Sequence, residues 1–235
     1  EWYDFYIFGS LGALLAAKFF AGSTPVIDFL KTMVIFSAGF LIRPVGALLF
    51  GWLGDRAGRK VTFMVTLMGM CIGTAVIGLV PTYASIGLSA AFILLILRLI
   101  QGLCLGGEYG GAITYVAEHT PDDKRGLYTG ILNTSPTIGI IVSLVVVIGV
   151  EALMGKEAFE AWGWRIPFLI SFFLVMIAGY IRLSLQETPV FADIRAKGRQ
   201  TKNPWKEAFL SANIRYVLIA SVMVFGEGVV WYSSQ

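Results

Sequence analysis

The chain has 235 residues, of which 57% are apolar and only 14% charged, against about 25% charged in an ordinary soluble domain, so a water-soluble globule is excluded. A helix needs about 20 residues, at about 1.5 Å each, to cross a hydrocarbon core of about 30 Å, and this length suits a bundle of six or seven crossings with short loops. The net charge of +3 gives no sign of a nucleic-acid partner, and Cys71 and Cys104, both inside apolar runs, form neither a disulfide framework nor a zinc spacing.

Apolar runs set against turn residues predict spans over 1–22, 33–53, 61–80, 88–117, 127–150 and 164–184, a polar connection over 186–213, and the start of a seventh span over 215–235. The first run is already under way at Tyr3, so the chain is expected to begin inside a helix and to be a fragment. Glu1 and Asp4, three apart, share a face of that helix. Arg43 lies about ten residues, or about 15 Å, into the second span and therefore near mid-membrane. Charged groups at that depth need a cavity or a counter-charge.

Between the second and third spans, Gly51 through Lys60 packs Asp55, Arg56, Arg59 and Lys60 together with Gly51, Gly54 and Gly58. Glycines permit close approach and positive φ, and the charges suit a tight turn at a membrane face. On the fourth span, Arg98, Gln101, Leu105, Glu108, Ala112 and Tyr115 fall on about one third of the circumference, a polar stripe. Gly102, Gly106 and Gly110 form another line, and Gly107 with Gly111 a further one, built for close helix contact. Arg98 and Glu108 are candidates for solute or proton work, with a structural ion pair locking the bundle as the alternative.

On the fifth span, Asn133 and Ser135 beside Pro136 offer hydrogen-bonding groups and a break in helix regularity. Trp162, Trp164, Tyr83 and Trp231 are expected to be interface anchors. Glu227 is an intramembrane acid of the seventh span. In the 186–213 connection, Arg195, Lys197, Arg199, Lys202 and Lys206 alternate with Phe191, Ile194 and Trp205, as in a loop with short helices lying on a membrane surface.

Twelve of the 18 Lys and Arg residues lie on the loops after the second, fourth and sixth spans or on their flanks, Arg182 among them. Cations accumulate on cytoplasmic loops, which puts those loops and the start of the chain in the cytoplasm. Six spans, a long basic loop and a seventh suggest half of a doubled structure. The sole histidine, His119, sits at a helix end. With no Ser/His/Asp constellation and no metal-ligand spacing, no enzyme, metal or cofactor is expected.

The ordered pattern Gly51-Trp52-Leu53-Gly54-Asp55-Arg56-Ala57-Gly58-Arg59-Lys60 resembles the signature loop of the major facilitator superfamily. Glu1-Trp2-Tyr3-Asp4-Phe5-Tyr6, Arg43-Pro44-Val45-Gly46, Arg98-Leu99-Ile100-Gln101-Gly102, Gly106-Gly107-Glu108-Tyr109-Gly110-Gly111, Trp162 through Phe168 and Glu187-Thr188-Pro189 look like its metabolite:proton symporters. The resemblance implies an all-α membrane protein: the N-terminal six-helix bundle of a twelve-helix fold over 1–185, an interdomain loop over 186–213, and the beginning of the C-terminal bundle over 214–235. It implies a multi-pass protein of the bacterial inner membrane, partnered by the bilayer, a small solute, protons and the absent six-helix half. The expected activity is import of a small organic acid by proton symport and alternating access, the alternative being a proton-independent facilitator or exchanger of zwitterions such as proline or betaine.

The buried polar and charged residues are expected to form one solute and proton pathway, through Tyr3, Asp4, Arg43, Arg98, Gln101, Glu108 and Asn133. One arginine would attract the solute while Glu108 or Asp4 takes the proton. The resemblance implies a cytoplasmic latch in which Gly51, Asp55, Arg56, Gly58, Arg59 and Lys60 meet Glu118 and Arg125.

Overall fold

The computed structural model describes residues 1–20, 24–184, 186–197 and 214–233, and they contain helices and no strands. Two units separate, Glu1–Asp193 and Ile194–Gln235.

The first unit opens with α1 (Trp2–Ser10) and α2 (Gly12–Phe19), broken at Leu11. Next come α3 (Pro25–Leu41) and α4 (Arg43–Ala57), which together make one apolar stretch of 33 residues. The break between them falls just before Pro44, whose ring nitrogen cannot donate to the carbonyl four residues back. This stretch begins at Pro25, eight residues earlier than the apolar run alone suggested, because Thr24 accepts from the Ile27 amide and Pro25 is preset for the first helical turn.

Then follow α5 (Arg59–Leu79), the short α6 (Tyr83–Ile86) and α7 (Ser89–His119). The fifth span is again two helices, α8 (Arg125–Leu132) and α9 (Ser135–Met154), interrupted at Asn133 and Thr134 where Pro136 removes a ladder donor. A short α10 (Lys156–Ala158) and a π turn (Phe159–Gly163) lead into α11 (Arg165–Ser184). The last element to reach this unit is α12 (Pro189–Ala196), which begins in it. Five of these stretches are long and apolar enough to cross a membrane: 25–57, 59–79, 89–119, 125–154 and 165–184.

The unit is inside-out relative to a soluble protein. Val34, Leu41, Val145, Ile148 and Phe173 are more than 60% exposed, whereas Arg98, Gln101, Thr66, Thr74, Ser143 and Ser171 are fully buried. A bundle whose outer surface meets hydrocarbon needs this arrangement, because every interior polar group must find a protein partner or water. Interior packing relies on missing side chains. A Cβ at Gly46, Gly102 or Gly106 would overlap the backbone carbonyl of Leu103, Gly39 or Arg43, and one at Gly107 would overlap Phe50. The backbones of α3, α4 and α7 therefore touch directly. Gly110, also expected on this seam, has nothing within 4 Å of a Cβ position.

At one end, Trp164 is fully buried against Phe19 and Phe168. It is a core residue and not the interface anchor that composition suggests, whereas Trp162 is 52% exposed. The side chain of Trp231 lies outside the described residues.

The second unit contributes α13 (Ile214–Ser233), with Tyr216, Val222 and Phe225 exposed. The side chain of Glu227 and residues 198–213, with Arg199, Lys202, Trp205 and Lys206, lie outside the described residues.

Candidate functional site

Two polar clusters lie inside the first unit, both supported by α1 and α7. In the first, Arg98 is fully buried. Its Nη1 donates to Gln101 Oε1 at 2.9 Å and its Nη2 to the Phe5 carbonyl at 2.9 Å. Gln101 Nε2 donates to Thr74 Oγ1 at 2.6 Å, and Thr74 donates onward to the Met70 carbonyl. The guanidinium sits over the rings of Phe5, Phe8 and Phe36 at 3.9, 4.6 and 4.7 Å.

Arg43 stacks at 4.1 Å on Phe40 and 4.2 Å on Phe5, so the Phe5 ring carries both arginines. Cation–π contacts of this kind contribute about 2 kcal/mol when desolvated. Dipoles and ring faces, with no carboxylate in ion-pair contact among the described residues, are what hold Arg98.

The second cluster lines a cavity of about 300 Å³ between α1, α5, α7, α8, α9 and α11. Its walls include Glu1, Trp2, Asp4, Glu108, Tyr109 and Arg182. One nitrogen, Arg182 Nη2, donates to both Glu108 and Glu1, the latter at 2.7 Å, while Nη1 donates to the Phe63 carbonyl at 2.6 Å. Asp4, 1% exposed, accepts from the Cys71 thiol at 3.4 Å through Oδ2. Asp4 Oδ1 and Glu108 Oε2 are buried with no hydrogen-bond donor among the described residues.

Trp2 and Tyr109 meet edge to face at 6.0 Å, and the Tyr109 hydroxyl donates to Asn133 at the α8–α9 break. Three carboxylates thus face one guanidinium, next to two aromatic rings. Such walls suit a solute with a positive end for the acids and rings and a negative end for the arginine.

The sequence-nominated residues divide between these places. Glu108 and Asp4 line the cavity. Arg98 and Gln101 lie in the sealed cluster, Arg43 stands beside it, and Asn133 reaches the cavity through Tyr109. Tyr3 ties α1 to α11 by donating to the Pro167 carbonyl at 2.6 Å. Arg182, counted in the sequence as one of the flanking cations, is the cation that meets Glu108. Glu1, a neighbour of Asp4 in the sequence, joins it there.

At the α4–α5 turn, Gly58 takes φ +107° and Asp55 pairs with Arg59 at 2.8 Å. Arg56 lies over Trp52 at 5.0 Å. Gly51 borders a second, glycine-lined cavity of about 200 Å³.

The turn is grasped by Glu187. Its carboxylate accepts from the Arg59 amide at 3.1 Å and the Lys60 amide at 3.3 Å, while Lys60 Nζ donates to the Leu183 carbonyl at 2.7 Å. A carboxylate on the free amides of a helix start is a favourable cap. Arg125 instead pairs with Asp122 at 2.6 Å and donates to the Ala117 carbonyl, and Glu118 Oε2 has no hydrogen-bond partner among the described residues. Glu187 is visible in the sequence only within its Glu-Thr-Pro triplet.

Residues 1–208 match the family described as sugar (and other) transporter. The chain belongs to that family, within the major facilitator superfamily. It is 42% identical over 191 residues to the proline/betaine transporter of Salmonella typhimurium, covering 81% of this chain and 38% of that protein. To the glycine betaine/proline/ectoine/pipecolic acid transporter OusA of Dickeya dadantii the identity is 41%, with the same shares. To the inner membrane metabolite transport protein YhjE of Escherichia coli it is 36%, over 99% of this chain and 53% of that protein.

The chain therefore spans about half or less of the relatives it matches. The fold superposes on the proton:xylose symporter XylE bound to 6-bromo-6-deoxy-D-glucose with a TM-score of 0.67 at 17% identity, over 85% of this chain and 44% of that one. An inward-open XylE gives 0.65, over 94% and 52%. The expected all-α major facilitator bundle is borne out, and the relatives are transporters and not enzymes.

Proposed function

We propose that this chain is the N-terminal half of a proton-coupled importer of a small zwitterion of the proline or betaine kind. The observation that carries the reading is the cavity in which Trp2, Tyr109, Asp4, Glu1 and Glu108 stand beside a single Arg182. A quaternary or secondary ammonium is attracted by ring faces and carboxylates together, and a solute carboxylate is matched by the planar guanidinium. The excess of acids on the walls repels a multiply charged anion, so the site suits a zwitterion better than the organic acid expected from sequence. The printed names of two relatives, which refer to proline, betaine and ectoine, support the same choice.

In this reading the protein is a multi-pass protein of the bacterial inner membrane, with the α4–α5 turn, the α7–α8 loop and the start of the chain on the cytoplasmic side, as the distribution of Lys and Arg supports. The second half of the protein closes the cavity from the opposite side, and access alternates as the halves rock. Asp4 and Glu108 face the solute. Arg98, Gln101 and Arg43 hold α1 and α7 in register, Asn133 and Tyr3 position the walls, and the Asp55–Lys60 turn with Glu187 forms the cytoplasmic latch.

The full-length protein in proteoliposomes tests the reading by accumulation and counterflow of labelled proline, glycine betaine and citrate, with and without an imposed pH gradient. Proline or betaine is expected to accumulate, and a protonophore to abolish accumulation while leaving counterflow. Accumulation of citrate in preference to both zwitterions overturns the zwitterion reading; accumulation insensitive to the protonophore overturns the proton coupling.

A further inference from the structure

The cavity joins two acids to one nitrogen, which is unusual for a structural ion pair. Glu1 and Glu108 both accept from Arg182 Nη2, which gathers their carboxyl groups onto one donor. Carboxylates are acceptors only, so while both are ionised the two are held together by the guanidinium and not by each other. Glu108 is 5% exposed, and its second oxygen, Oε2, has no donor among the described residues while bordering the cavity. A single guanidinium offsets one of the two negative charges, and the low-dielectric interior penalises the other.

We propose that Glu1 and Glu108 form the proton-carrying pair of this transporter, both ionised while clamped on Arg182 and holding one proton between them once the solute has drawn Arg182 away. The assignment rests on the transport reading above. The groups facing the pair are Asp4 on α1, Cys71 on α5, Tyr109 on α7 and Arg182 on α11, while the α8 and α9 wall presents the uncharged Leu132 and Ser135. Asp4 is itself occupied by the Cys71 thiol on one oxygen.

The pair supplies a coupling mechanism from geometry alone. A solute carboxylate that engages Arg182 draws the guanidinium away from the acids. Two facing carboxylates without their cation cannot both stay ionised, so a proton is taken from water onto the pair as the solute enters. When the solute leaves on the other side, Arg182 returns and the proton is expelled to that side. No bond other than the O–H bond forms or breaks, and one proton moves with each solute. Reciprocity requires that the proton favour solute binding by the same factor.

Two measurements on the full-length protein test this. The first is proton uptake by detergent-solubilised protein on addition of proline, followed with a pH indicator in weak buffer. Wild type is expected to take up close to one proton per bound proline, and Glu108→Gln and Glu1→Gln close to none. The second is accumulation in proteoliposomes, expected to fall at least about tenfold in either variant, within the range typical of such coupling, with counterflow reduced far less. Glu108→Asp, which keeps the acid, is expected to regain proton uptake.

Wild-type protein that neither exchanges nor accumulates any zwitterion overturns the transport reading, and this assignment with it. Active wild type, with Glu1→Gln and Glu108→Gln still taking up a full proton per solute, overturns the pair alone. A Glu108→Gln protein that does not fold leaves Glu1→Gln and Glu108→Asp to decide, since the pair requires one to lose the proton and the other to keep it.

Discussion

Arg98 shows how a charge is tolerated without a counter-charge. It is fully buried and is held by a backbone carbonyl, an amide oxygen and three ring faces, while its Nε has no hydrogen-bond acceptor among the described residues. That geometry needs a planar, forked donor. A lysine places one compact charge where two divergent bonds and a stacked surface are required. Arg98→Lys is therefore expected to destabilise the bundle by about 1–3 kcal/mol, seen as a lower unfolding temperature of purified protein, and Arg98→Ala by more. Equal unfolding temperatures for Arg98→Lys and wild type would show that the stack and fork contribute nothing.

Gly58 is the second residue whose identity is fixed by its surroundings. At φ +107° an L side chain is strained, and its Cβ would run into the Glu187 carboxylate. Gly58→Ala should cost about 1–3 kcal/mol, readable in the same unfolding experiment. The polar stripe on α7 was legible at this scale from spacing alone, and it placed Gln101 and Glu108 on one buried face. The partner of Glu108 was not. Arg182 stands 74 residues away in the chain, near the end of an apolar run where an arginine ordinarily marks only the membrane boundary, and only the packing of both α11 and α7 against α5 brings the two together.

At the scale of elements, the apolar runs located most of the crossings because hydrocarbon demands about 20 apolar residues whatever the fold. Breaks were less legible. Pro44 and Pro136 give chemical grounds for the interruptions before α4 and before α9, whereas the break at Leu11 has no proline, and it divides the first span into pieces of nine and eight residues. The start of α3 lies ahead of the apolar run because Asp28 and Lys31, an ion pair at 2.9 Å one turn apart, interrupt the apolar pattern inside the helix.

The Glu187 cap on α5 was invisible for another reason. An acid after a helix end is ordinary, and its docking depends on Gly58 leaving room for it. Removing the cap with Glu187→Ala should free the Arg59 and Lys60 amides, at about 1–2 kcal/mol. Faster hydrogen exchange at those two amides, with slow exchange kept in the middle of α5, is the expected result. Unaltered exchange would mean that the cap does not hold the turn.

For the whole molecule, the position of the cavity makes a prediction with a chemical probe. Cys71 lines it and Cys104 does not, although both are buried free thiols. A small methanethiosulfonate reagent added to the full-length protein should modify Cys71 and leave Cys104 unmodified, as read by mass spectrometry. A transported solute should slow the reaction at Cys71 several-fold, about as expected for occupancy well above its dissociation constant. Equal labelling of both thiols, or no protection by any zwitterion, would place the solute elsewhere.

The seam between α3, α4 and α7 also constrains how this half can move. Where carbonyl oxygens rest directly against Cα atoms, no flexible side chains remain to absorb sliding, and a shift of even one methyl width produces backbone collision. These three helices consequently travel together. Any exchange of openings between the two faces of the membrane has to come from turning the block whole, or from bending at the interrupted fifth span, where Asn133 already links the break to a tyrosine on the cavity wall.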